Sequence, residues 1–234
     1  MKTDIFNLII LDESGSMGHI QKQTISGCNE TINTIRTAQK NFAETQNHFV
    51  SIYAFQSDGN KPSRYIIKNM PVAEVNHINP EQYTPWGGTP LLDAVGATLV
   101  DLKTVAKSKD FALGSVTIIT DGMENSSHYY TQPKVAKMIS ELKELGWSFN
   151  FIGANIDVKA TAASLNIDNA LEFTQDDEGT AEMFAQERNS RMAWASRTNC
   201  IMAEEMASPC SGADSDKKTL FEKLKKSASG YFKK

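Results

Sequence analysis

Runs dominated by apolar residues occupy positions 5–11, 49–55, 115–120 and 147–152, with many β-branched or aromatic side chains and polar or glycine residues at each end. Such short runs predict strands covered on both faces. Between them the apolar positions recur at helical spacing: Ile25, Cys28, Ile32, Ile35 and Phe42; Leu91, Leu92, Val95, Leu99 and Leu102; Val135, Met138, Ile139, Leu142 and Leu145. Strands alternating with helices imply crossover connections and a mostly parallel sheet with helices on both faces. Residues 64–70 follow the second strand after the turn-like SDGNKPS and predict an antiparallel edge strand. A last short strand near 171–174 and a helix over about 179–195 complete a six-stranded, doubly wound α/β domain.

After Arg197 the sustained period is lost. Small and acidic residues give way to a lysine-rich end, so the pattern predicts a domain over residues 1–197 and a flexible, lysine-rich tail over 198–234. Within the tail, Leu220, Phe221 and Leu224 would share one side of a short basic helix able to touch an acidic partner or surface. At 234 residues with a net charge of −4, the chain is long enough for one full core, and the domain has no general attraction to nucleic acid. No apolar run is long enough for a membrane span and no signal-peptide core is visible, so a cytoplasmic protein is expected. Cys28, Cys200 and Cys210 lack CxxC spacing, which predicts neither a disulfide framework nor a zinc ribbon; a reversible Cys200–Cys210 bridge is the one pairing the spacing allows.

The chemistry gathers where strands end. The first strand breaks into Asp12-Glu13-Ser14-Gly15-Ser16, and the strand over 115–120 ends in Asp121-Gly122. Between them, Gly87-Gly88-Thr89-Pro90 opens a helix, with Thr89 predicted as its N-cap. In a doubly wound sheet these loops share the carboxyl edge, where ligands bind. Asp12, Ser14, Ser16, Thr89 and Asp121 would then supply two carboxylates and three hydroxyls, an all-oxygen set suited to magnesium or manganese in preference to calcium. Neither the P-loop spacing nor the dinucleotide fingerprint is present, and no GxSxG elbow occurs. The enzymatic alternative is a magnesium-dependent phosphohydrolase with Asp12 as nucleophile, but the three loops contain no lysine or arginine to hold phosphate.

The order aspartate-x-serine-x-serine, threonine, aspartate resembles the von Willebrand factor type A domain with its metal-ion-dependent adhesion site, over roughly residues 4 to 195. The segments GGTP and TDG look most like intracellular bacterial members. The resemblance implies a Rossmann-like sheet, direct ligation by Ser14, Ser16 and Thr89, and direct or water-mediated ligation by Asp12 and Asp121. It also implies a partner protein that presents an aspartate or glutamate carboxylate as the last ligand, hence an adaptor or scaffold module rather than an enzyme. Glu13, Met17, His19, Trp86, Met123 and Glu124 are expected on the partner-binding rim, with Trp86 as an aromatic anchor. His128 and Tyr129 are further rim candidates, and Asp93 is expected to support the centre or the helix dipole.

Overall fold

The computed structural model describes residues 2–59, 61–109, 111–207 and 214–232. Its strands are β1 (Thr3–Asp12), β2 (Gln46–Phe55), β3 (Arg64–Pro71), β4 (Ala112–Thr120), β5 (Ser148–Gly153) and β6 (Asn169–Glu172). They form one sheet in the order β3-β2-β1-β4-β5-β6, parallel throughout except for β3, which runs antiparallel to β2. The helices are α1 (Gln21–Asn41), α2 (Leu91–Ala106), α3 (Gln132–Lys143), α4 (Val158–Ser164), α5 (Asp177–Ala207) and α6 (Asp214–Ala228). The expected mostly parallel, doubly wound α/β sheet with one antiparallel edge is therefore present.

Alternation along β1 distributes its side chains between two cores. Leu8 and Ile10 pack with Leu91, Val95 and Leu99 of α2 and with Val135 and Ile139 of α3, while Ile9 and Leu11 pack with Cys28, Ile32 and Ile35 of α1 and Phe184 of α5. Helices cover both faces, which is why β1 is apolar at almost every position between Ile5 and Leu11, Asn7 excepted. From β1 the chain moves outward to β2 and β3, then returns across the sheet through α2 to β4 on the other side of β1. The strand order reverses between β1 and β4, and their carboxyl ends, at Asp12 and Thr120, flank the resulting crevice.

Two features depart from the sequence expectation. The first is α4, whose small residues hide its period; its start is capped by Asp157, which accepts the Ala160 N–H at 2.9 Å.

The second is the stretch after Arg197, which is not a flexible tail where it is described. α5 continues unbroken to Ala207, and α6 brings Leu220, Leu224 and Tyr231 into the core, Tyr231 with no exposure at all. Leu220, Phe221 and Leu224 are thus occupied by the domain itself rather than offered to an outside surface. Asn169 on β6 anchors the return, donating to the Ala228 carbonyl at 2.8 Å and accepting the Tyr231 N–H at 3.3 Å. Helical periodicity fails in α5 because it packs between the sheet, α1 and α6, and several of its buried positions are polar: Thr180, Glu187, Arg191 and Thr198. Cys28 is buried and Cys200 is an exposed free thiol; Cys210, and with it the Cys200–Cys210 pairing, lies outside the described residues.

Candidate metal centre

Asp12 closes β1 with no exposure, and each of its carboxylate oxygens is held: Oδ1 accepts the Ser14 N–H at 2.7 Å and Oδ2 accepts the Thr120 hydroxyl at 2.6 Å. The chain then turns through a short 3-10 helix, Gly15–Ile20, which brings Ser14 Oγ and Ser16 Oγ to 3.2 Å. Ser16 donates in turn to Asp121 Oδ1 at 2.8 Å. Thr89 is buried, and its hydroxyl faces Gly122 so closely that a Cβ there would lie 3.2 Å from Oγ1. The five oxygen-bearing residues named from the sequence are thus brought to one crevice by three loops.

Glycine makes the approach of these loops possible. Gly15 donates its N–H to the Gly87 carbonyl at 3.1 Å, and Gly87 adopts φ +72°, where a side chain would also press within 3.0 Å of the Asp58 amide nitrogen. Thr89 does not cap α2. Pro90 holds the N-cap position without a side-chain bond, and the first free N–H groups go elsewhere: Leu92 N to Glu124 Oε2 at 2.8 Å and Asp93 N to Ser127 Oγ at 3.0 Å. The Thr89 hydroxyl is left to face the crevice.

The expected rim divides. His19, Trp86 and Met123 are exposed beside the crevice, Trp86 by 68% and Met123 by 72%, and Tyr129 and His128 lie exposed further along the loop after β4. Glu13 and Met17 are not on the rim. Met17 is 1% exposed and packs with Ile20 and Cys28 under the loop. Glu13 has no exposure: it accepts a two-pronged contact from Arg64 (2.6 and 3.0 Å), the Gln56 amide at 3.0 Å and the Thr84 N–H at 2.5 Å, with Lys61 at 3.5 Å. It anchors the β2–β3 hairpin and the 82–86 segment to the metal loop. Glu124 is also withdrawn, its carboxylate accepting N–H groups from Leu92, Ser126 and Ser127. Asp93 holds the loop after β4 by accepting the N–H groups of His128, Tyr129 and Tyr130 at 2.7–2.8 Å.

Charge makes the crevice unusual within this fold. Burial pushes the Asp12 carboxyl up to about 6, against the opposing hydrogen bonds of Thr120 and Ser14 and with a further rise from Asp121. Burial raises Asp121 as well, opposed by Ser16. Lys61 and Arg64 approach from the β2–β3 hairpin, which the loop sequences alone did not reveal, but both are bound to Glu13. Among the described residues no lysine or arginine pairs with Asp12 or Asp121.

The donor set fits a hard divalent cation. Neighbouring oxygens around an octahedral ion at about 2.1 Å are about 3.0 Å apart. The Ser14–Ser16 and Ser16–Asp121 separations of 3.2 and 2.8 Å match that spacing. No group of three or more His, Cys, Asp or Glu suited to a metal occurs among the described residues, so the hydroxyls are essential to this donor set. Sequence reasoning missed Thr120, whose hydroxyl is the neighbour of Asp12 on β4, and Gln175, which reaches the centre from the loop after β6. Thr120 stands in the TDG segment, where sequence reasoning assigned it no role, and Gln175 lies in no motif.

No protein-family model and no curated protein sequence matches the chain. Solved structures do. The pilus adhesin SpaC from Lactobacillus rhamnosus GG aligns over 82% of this chain and 30% of that one, with 15% identity and a TM-score of 0.56. Proximal thread matrix protein 1 from the mussel byssus, with a zinc-occupied MIDAS motif, aligns over 82% of this chain and 46% of that one, with 12% identity and a TM-score of 0.53. A von Willebrand factor type A protein from Catenulispora acidiphila aligns over 82% of this chain and 43% of that one, with 17% identity and a TM-score of 0.48. The chain spans less than half the length of each of these three structures. The strand order, the oxygen-bearing loops at the β1/β4 crevice and the alignments with SpaC and the byssus protein together give this chain the von Willebrand factor type A fold.

Proposed function

We propose that the chain is a metal-dependent protein-interaction module, in which Asp12, Ser14, Ser16, Thr89 and Asp121 hold a divalent cation that captures a partner's aspartate or glutamate. The observation that carries this reading is the acidic crevice: two buried carboxylates hydrogen-bonded with Ser14 and Ser16, the Thr89 hydroxyl beside Gly122, and no lysine or arginine paired with either acid among the described residues. A cation would relieve the repulsion between Asp12 and Asp121, and with the three hydroxyls as direct neutral donors and the aspartates acting partly through water it would keep positive character toward an outside anion. Oxygen-only ligation favours magnesium or manganese. The zinc in the MIDAS motif of the byssus protein supports a divalent ion on this fold. Exposed Trp86 and Met123 offer apolar contact beside the captured carboxylate.

The reading assigns no catalysis. Asp12 is enclosed with both oxygens engaged, and the nearby Arg64 is committed to Glu13, which weighs against a nucleophilic aspartate beside a phosphate clamp. The reading takes the setting as cytoplasmic; no described helix is long and apolar enough to cross a membrane. The test is capture of partners from a lysate by the wild-type chain and by Thr89→Ala, with EDTA, magnesium or manganese. Binding should vanish with EDTA, return with either ion and fail for the variant. Capture that survives both chelation and Thr89→Ala would place the interaction surface elsewhere.

A further inference from the structure

The side chain of Gln175, between β6 and α5, meets the centre at Asp121. Its Nε2 donates to Asp121 Oδ2 and to the Ser16 carbonyl at 3.1 Å, and its Oε1 accepts from Nδ2 of Asn155, just beyond β5. Chemistry permits only one arrangement of these amides. A carboxylate and a carbonyl only accept, so Gln175 must turn its NH2 toward them. Its oxygen then faces Asn155, which must turn its own NH2 outward to meet it. Asn155 is set for this by φ +58°, a left-handed conformation that asparagine and glycine tolerate better than other residues.

The relay links loops from the carboxyl ends of β1, β4, β5 and β6, and it is not needed to hold those loops themselves. The start of α5 is secured by Asp176, which accepts the Gly179 N–H through its side chain at 2.7 Å and the Thr180 N–H through its carbonyl at 3.0 Å. The end of β6 is secured by the Phe173 N–H on the Gly153 carbonyl at 3.0 Å. What Gln175 adds is control of Asp121. Ser16 holds one carboxylate oxygen and Gln175 the other, so the carboxylate cannot rotate freely about its Cβ–Cγ bond.

We infer that Gln175 is a positioning residue of the metal centre, its amide held by Asn155 and fixing the Asp121 carboxylate and the Ser16 backbone for the cation. This rests on the metal reading above. Outer partners of ligating carboxylates are typically worth about 10–100-fold in metal affinity.

The experiment is calorimetric titration of the full chain with manganese alone, comparing wild type, Gln175→Met, Asn155→Gly and the double variant. Methionine keeps the length of glutamine without its donor, and glycine keeps the left-handed backbone of Asn155. Manganese Kd should rise about tenfold for Gln175→Met and less for Asn155→Gly, and the double variant should be no weaker than Gln175→Met, because both act through one relay. Thermal midpoints measured in EDTA should be unchanged. Unaltered manganese affinity in both single variants overturns the inference and leaves the centre standing; a wild-type chain that does not bind manganese overturns the centre itself. A fall in the EDTA midpoint that parallels the affinity loss assigns Gln175 a structural role instead. If Gln175→Met does not fold, Asn155→Gly, an exposed position, decides the matter by the same criteria.

Discussion

The sheet carries buried acids in two places and balances them in opposite ways. Beneath α5, Glu187 and Arg191 are each 1–2% exposed and form a cluster closed around Glu187 Oε1: Arg191 donates to it at 2.6 Å, to Asn7 Oδ1 and to Thr117 Oγ1 at 2.9 Å, and the Tyr231 hydroxyl donates to it at 3.1 Å, while Oε2 has no hydrogen-bond partner among the described residues. At the carboxyl edge of the same sheet, Asp12 and Asp121 have hydroxyl, amide and N–H donors but, among the described residues, no guanidinium or ammonium. A carboxylate taken out of water needs a countercharge or a proton. The chain builds the countercharge in beneath α5, and again for Glu13 with Arg64, whereas at the crevice the proposed cation would supply it. The first kind of cluster holds the fold in one arrangement; the second is where the proposed function places its ion.

Removing residues 198–234 should have the largest effect. It deletes buried Met202, Leu220, Leu224 and Tyr231, and large apolar deletions cost about 2–5 kcal/mol each, more in total than a domain of this size holds in reserve. The truncated chain should show no cooperative thermal transition by circular dichroism. A normal transition would detach the closed cluster from stability and break the contrast.

Arg191→Met comes next. It strands Glu187 in the interior without its cation, and breaking a buried pair in this way costs about 3–5 kcal/mol. Urea unfolding of wild type and variant measures it; a loss under about 1 kcal/mol would show that the cluster does not depend on its internal countercharge.

At the crevice the sign should reverse. Asp12→Asn should abolish manganese binding yet stabilise the metal-free chain at neutral pH by about 1–3 kcal/mol, because the carboxyl pushed up to about 6 is charged there at the expense of the fold. The folded value lies above the unfolded 3.8, so this group's contribution to stability is complete below about 3.8 and is lost as pH rises through about 6. In EDTA, the difference in stability between variant and wild type should therefore shrink as pH is lowered from 7.5 to 5. Destabilisation by Asp12→Asn at pH 7.5 in EDTA would mean that the crevice is balanced internally after all. Tyr231→Phe should be the mildest, about 1 kcal/mol for one hydroxyl bond to Glu187, read by the same urea series. No measurable change would confine the closed cluster to the Arg191–Glu187 pair.

Local pattern determined much of this protein. Strands covered on both faces are apolar along most of their length, and helices with one covered face must repeat every three to four residues, so five of the six strands and the helices α1, α2 and α3 were legible with near-correct limits. The sixth, at Asn169–Glu172, was foreseen about two residues late. That Asp12, Ser14, Ser16 and Asp121 would share one edge was legible because a doubly wound sheet sends the loops after its parallel strands there, whereas Thr89 arrives from the long connection after the antiparallel β3.

What pattern could not decide were contacts whose two halves lie far apart in the chain and whose burial is polar. Glu13 looks like a rim acid until Arg64, Gln56 and Thr84 close around it. α5 and α6 look like a fading helix and a tail until Arg191, Glu187, Asn169 and Tyr231 meet. Gln175 and Asn155 carry no motif until β5 and β6 set them beside Asp121. Hydrophobic periodicity records which residues avoid water, whereas a buried polar residue is admitted only by its partner, and the tertiary structure alone supplies that partner.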